Sequence, residues 1–357
     1  MKNINVYIKE GLADWGEDDT LNKKISKQTT KAAIKQEIIE WVINNTRPGV
    51  VTKTKSKFKF DFKTDPITVD YDGNIEFKEN IDSLTNGTFQ WGYVNGGFNC
   101  VNCKQLKSLE GAPNRVEYNF CCSDCDNLES LEGAPDYVGN DFRCKRCHKL
   151  ESLEGGPRTV ISHYYCQECD NLKSLKGAPE IVHYFKCYGC KQLKSLEGCP
   201  KKITGGFWGH DCSNLKSLKG IGKISGGTSV YLGGCENLES IKDLDASILY
   251  ILELCDCKKL KSLEGCPDEI IDGLDCDNCE SLVDLKGAPN KVQDIHCNGC
   301  KNLKSLKGLP DKLIRLYLEN CTSLKNFDAL KKHKNSNLRI YTNDANIENE
   351  IKKIYNE

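Results

Sequence analysis

A repeat solenoid, mainly β, is the fold class this sequence predicts, with about eleven coils of 21–23 residues and small α/β caps. Three observations carry that expectation. The segment Phe120-Cys121-Cys122-Ser123-Asp124-Cys125-Asp126-Asn127-Leu128-Glu129-Ser130-Leu131-Glu132-Gly133-Ala134-Pro135 recurs, with drift, from Phe98 to Phe327. Its apolar anchor slot holds Phe98, Phe120, Phe142, Tyr164, Phe185, Phe207, Val230, Leu252, Leu274, Ile295 and Leu316, at a solenoid-like period of about 22 residues. Most copies close on a Gly-Ala-Pro type of turn. Gly133 permits positive φ and Pro135 forbids a continuing helix, so the return path is short and extended.

The elements follow in chain order. Residues 1–20 form a short peptide in which Ile4, Tyr7 and Ile8 share a helical face, followed by acidic Glu17, Asp18 and Asp19. Residues 21–97 make an N-terminal helix and a capping β region. The helix is expected over Thr30–Asn44, with Ile34, Ile38, Trp41 and Val42 on one face and Asn45-Thr46-Arg47-Pro48-Gly49 as its stop. Lys53–Lys63 alternates, with Phe58, Phe60 and Phe62 opposite Lys57, Lys59 and Asp61. Interleaved lysines and aromatics can stack on single-stranded nucleic acid, but alternation alone predicts a half-buried strand with lysines toward water. Ile67–Tyr71 and Ile75–Phe77 flank Asp72-Gly73, a hairpin signal. Ile81, Leu84, Phe89, Trp91 and Tyr93 resemble an imperfect first coil. The solenoid occupies 98–327. In the C-terminal cap, 328–357, Leu338, Ile340 and Tyr341 predict a last strand and Asn346–Tyr355 a helix.

Within one coil, alternation places Phe120 and Cys122 inward and Cys121 and Ser123 outward. Cys125, Leu128, Leu131 and Val138 continue the inner row. One coil cannot bury that row alone, whereas stacked coils share a continuous core. The last copy, Leu313-x-x-Leu316-x-Leu318-x-x-Cys321-x-x-Leu324, resembles the leucine-rich-repeat pattern over roughly two thirds of the chain. The resemblance implies a leucine-rich-repeat array. Phe and Cys fill slots usually given to Leu, and the Gly-Ala-Pro return is similar to the short bacterial and viral variants.

Of the 22 cysteines, eleven hold the second slot of a coil: Cys103, Cys125, Cys147, Cys169, Cys190, Cys212, Cys235, Cys257, Cys279, Cys300 and Cys321. Seven hold the first slot: Cys100, Cys122, Cys144, Cys166, Cys187, Cys276 and Cys297. Cys100-x-x-Cys103 before Cys122-x-x-Cys125 has zinc-ribbon spacing, and a zinc-stabilised scaffold would need four thiolates converging tetrahedrally. The first slot becomes Gly209, Leu232, Leu254 and Leu318 elsewhere. Leucine cannot replace a thiolate ligand but can replace a buried thiol. The expectation is therefore a structural cysteine ladder with no metal and no cofactor. An odd ladder has no natural disulfide pairing, and no secretory apolar stretch appears, so a reducing compartment is expected.

The chain is 38% hydrophobic and 28% charged, with formal net charge −1, so no global field favours nucleic acid or anionic membrane. No apolar run approaches transmembrane length, and a soluble chain is expected. The six histidines fall in no metal or triad motif, and no phosphate loop or nucleophile elbow occurs. His210-Asp211-Cys212 is discounted as a catalytic group because Cys212 has an equivalent in every coil. No enzyme is expected.

The outward strand positions are uneven. Arg143 and Lys145 come first, then Tyr165, Tyr188, Trp208, His210 and Tyr231, then Glu253, Asp275 and Asp277. Aromatics and Arg mark interface centres, so this face is a candidate docking surface for a protein partner. Tyr and Trp stacked along a ladder as good strand residues would give the same pattern. The opening Met1-Lys2-Asn3-Ile4-Asn5-Val6-Tyr7-Ile8-Lys9-Glu10 resembles capsid-targeting peptides of internal head proteins in large tailed phages. Ile8-Lys9-Glu10 before Gly11 is similar to the junction that phage head-maturation proteases cut. Those resemblances imply a phage accessory protein, cut between Glu10 and Gly11, in the host cytoplasm or the virion interior. A bacterial leucine-rich-repeat surface adhesin is the further alternative; it lacks an export signal.

Overall fold

The computed structural model describes residues 19–51, 55–334 and 336–356 as a parallel β-solenoid of about 12 turns. Its main sheet has 14 strands, all but Lys223–Ile224 along one path from Ile75–Glu76 to Arg339–Tyr341. Anchor residues sit directly over one another. Phe98 pairs with Phe120, Phe120 with Phe142, Phe142 with Tyr164, and so on to Leu316 with Ile340. Their rings stack through the core: Phe98 on Phe120 at 5.4 Å and Phe120 on Phe142 at 5.5 Å, with nearly parallel planes.

A second sheet of six strands lies beside it, from Phe58–Asp61 to Thr159–Val160. It carries the Val116, Val138 and Val160 slot that closes each coil. From Ile181–Lys186 onward, several strands run through both positions with an irregularity between the halves, as between Val182 and Tyr184. The closing turns need glycine. At Gly177, φ is +100° and an added Cβ would lie 2.0 Å from the Leu153 carbonyl oxygen of the coil before.

The array is longer than its sequence period indicates. Ile75 and Glu76 pair in register with Phe98 and Asn99, so the first rung precedes Phe98. Arg339–Tyr341 adds a last one beyond Phe327. The expected hairpin across Asp72-Gly73 does not form. Ile67–Tyr71 instead pairs antiparallel with Phe58–Asp61 in the second sheet, while Ile75–Glu76 enters the main sheet. The turn carries the chain across the coil because Val69, Tyr71 and Ile75 all reach the core.

Helix α1 (Asp19–Asn45) begins well before the expected Thr30 and buries Ile38, Ile39 and Val42 on the N-terminal edge. Trp41 meets Phe77 and Phe89 edge-on. Lys35 lies 5.3 Å over Phe60 and Lys31 lies 5.2 Å over Phe62, so α1 occupies the aromatic faces singled out for base stacking. Helix α2 (Ala345–Asn356) closes the other end through buried Ile347 and partly buried Ile351 and Ile354. Glu10, Gly11 and the peptide before Asp19 lie outside the described residues.

Candidate interaction face

The second-slot thiols tie each coil to the one before it. Each donates to the carbonyl of the first-slot residue one coil earlier: Cys125 to Cys100, Cys147 to Cys122 and Cys169 to Cys144, all at 3.2 Å. The series begins at Cys103, on the Lys78 carbonyl, and runs through Cys190, Cys212, Cys235, Cys257, Cys279, Cys300 and Cys321, on Cys297. To that bond the first slot contributes its backbone oxygen alone, so Gly209, Leu232 and Leu254 accept as well as cysteine does. Burial pushes the thiols of Cys122, Cys144 and Cys166 well above their ordinary value. Among the described residues, no group of three or more His, Cys, Asp or Glu side chains is placed to hold a metal ion.

Just before each second-slot thiol the backbone turns left-handed. Gly189, Gly234 and Gly299 suit that turn, as do Asn102, Asp124, Asp211, Asp256, Asn278 and Asn320. Arg146 (φ +53°) and Glu168 (φ +59°) do not. Arg146 holds Asp124 at 2.6 Å and Glu168 at 3.3 Å. This strained ion-pair chain borders the face at Arg143 and Lys145.

Across the face runs a continuous column, one side chain per rung. The Arg143 guanidinium lies 5.3 Å from the Tyr165 ring centre. The Lys186 ammonium lies 5.3 Å from Tyr165 and 4.5 Å from Trp208. Trp208 stacks on Tyr231 at 5.2 Å. Cation and ring alternate, and partial burial lowers the Lys186 pKa. In the next column His210 stacks on Tyr188 at 4.3 Å. On the other side Tyr184 stacks on His163 at 4.6 Å and meets Trp208 edge-on.

The acidic end is equally ordered. Burial, with the Asp277 charge adding, pushes the Asp275 carboxyl up to about 6. The Asp277 backbone N–H donates to Asp275, and Asp277 accepts from the Asn298 N–H at 2.7 Å. Beyond it His296, Tyr317 and Tyr341 form a second stack at 4.2 and 4.6 Å. At the opposite end, small residues leave a groove of about 780 Å³ floored by Asn99, Val101, Cys121 and Ser123 and walled by Arg143 and Lys145.

The structure brings all ten sequence-selected face residues onto the main sheet or the turns that directly follow its strands. It corrects the expectation of a fully outward second column, since Ser123 and Gln167 are buried. A third column, one residue before each anchor, holds His163 and Tyr184, which the sequence places beside the aromatic band, and Asp141, which the sequence reading missed. Its chief member is Asp141, buried beneath the face, which accepts from Arg143 at 2.7 Å and His163 Nδ1 at 2.8 Å. Asn140-Asp141 resembles a turn, and only strand alternation carried back past Phe142 points to it. Arg315 and Asp294 form the matching pair in a later rung.

The fold and this face define a parallel β-solenoid with a built, half-buried lateral surface. No family model, curated protein or solved structure matches the chain. Among the described residues, no helix is long and apolar enough to cross a membrane.

Proposed function

We propose that the protein is a non-enzymatic protein-binding module on a leucine-rich-repeat scaffold, and that its partner docks across the face centred on Trp208. The column Arg143, Tyr165, Lys186, Trp208 and Tyr231 carries this reading. Core packing does not demand these identities, because the inward anchors supply the stability. Cations held between rings in neighbouring rungs are preorganised, so a partner binds them without the entropic cost of ordering long side chains. Aromatic centres with charged margins are typical of binding hot spots.

The resemblance of residues 1–11 to head-targeting peptides adds a setting: a tailed-phage accessory protein, packaged in the head or acting in the host cytoplasm. A chain starting at Gly11 in purified virions supports that setting, and an intact Met1 there removes it. The docking reading is tested by Trp208→Ala and Tyr231→Ala, with Lys219→Ala on an exposed coil edge as control. Retained thermal unfolding with loss of the bound partner supports it. Loss of folding without selective loss of binding favours rings that serve only the sheet.

A further inference from the structure

The face is self-complementary about its middle. Trp208 lies in the central strand of the main path, with six strands on either side. Three rungs before it stand Arg143 and Lys145; three rungs after it stand Asp275 and Asp277. One rung before it stand Lys186 and Tyr188; one rung after stand Tyr231 and Gly233.

Resting on the docking reading above, we propose that the partner is a second copy of this chain. The two faces pack across a two-fold axis that runs along the strand direction through the Trp208 rung. Such an axis reverses the order of rungs and keeps each column opposite itself. Arg143 then meets the partner's Asp275, and Lys145 the partner's Asp277, with both pairs formed twice. Lys145 has no side-chain ion pair among the described residues and is free to do so. Lys186 meets the ring of Tyr231, repeating across the interface the cation–ring contact it makes within the chain. Tyr188 meets Gly233, whose missing side chain leaves room for Cys255 Sγ and Glu253 Oε1 of the next rung, 2.6 and 2.7 Å from where a Cβ would lie.

Shape follows the same symmetry. The groove at Asn99 and Cys121 lies opposite the His296 and Tyr317 stack. A face about 60 Å long and about 13 Å wide gives roughly 800 Å² per partner, the size of a standard stable interface. A partner of unrelated sequence would not require basic and acidic side chains to stand at equal distances either side of one rung.

Sedimentation equilibrium of the wild-type chain at low and high salt is the first measurement. A dimer that dissociates as salt rises is expected; a monomer at every soluble concentration overturns the proposal. Lys145→Glu and Asp277→Lys each place like charges opposite each other twice and weaken self-association by roughly tenfold or more. Mixing the two variants restores opposite charges at both positions, so a heterodimer of wild-type affinity is expected. Failure of the folded variants to pair on mixing overturns the axis. His210→Cys provides a second check, because only a residue near the axis meets itself. Mild oxidation gives a cross-linked dimer for His210→Cys and none for Lys219→Cys on the exposed coil edge; the reverse overturns the geometry. A monomeric wild type that still loses another protein on Trp208→Ala rejects self-pairing and leaves the docking reading intact.

Discussion

Asp141 shows how much one carboxylate contributes to the face. Burial alone would raise its pKa, but the hydrogen bonds from Arg143 and His163 prevail and hold it below the ordinary range. Its folded value therefore lies under its unfolded one. The charge stabilises the fold at pH above the unfolded value of about 4, and that contribution is lost as pH falls through the folded value. Asp141→Asn is expected to cost about 2 kcal/mol at neutral pH, because Arg143 loses a charge-assisted partner. The gap between variant and parent closes at pH below the carboxylate range, as urea midpoints at neutral and acid pH will show. Asp275 is the opposite case, raised by burial, so protonation eases its place in the fold.

At the scale of one coil, neighbouring slots adjust to each other in volume. In the Gly-x-Pro turn, Ala134 precedes the anchor Phe142, Ala178 precedes Phe185 and Cys199 precedes Phe207. Tyr164 is preceded instead by Gly156, and its buried hydroxyl has no hydrogen-bond partner among the described residues. A Cβ at Gly156 would lie 3.1 Å from that hydroxyl and 2.8 Å from the Leu153 carbonyl oxygen. Val230, the smallest anchor, follows Ile221. Gly156→Ala is expected to destabilise by about 1–3 kcal/mol through overpacking. Tyr164→Phe should recover part of that loss in the double variant, a coupling that a double-mutant cycle measures. Strict additivity would mean that the two slots do not share this space.

For the whole molecule, stability is a chain of nearest-neighbour contacts that ends must terminate. Anchors inside the array are fully buried, whereas Ile340 in the last strand is only partly so, and α2 supplies the remaining cover through Ile347. Removing residues from Ala345 onward is expected to expose that edge. Hydrogen-exchange protection should fall first at Arg339–Tyr341 and remain in the central rungs. Uniform loss along the array would show instead that the coils unfold as one cooperative block.

The sequence by itself determined the period, the inward anchors, the thiol ladder as core and the uneven outer face. Each follows from alternation and from a pattern repeated often enough that substitutions reveal what a slot tolerates. Single-copy features had no such repetition. The first rung at Ile75, the passage of residues 67–77 between sheets and the use of α1 to cover Phe60 depended on which surface was left open, which only packing settles. The partner of each thiol, the burial of Asp141 and the cation–ring column were likewise tertiary decisions. They join residues roughly one coil apart in sequence, brought within contact by the parallel register of successive coils.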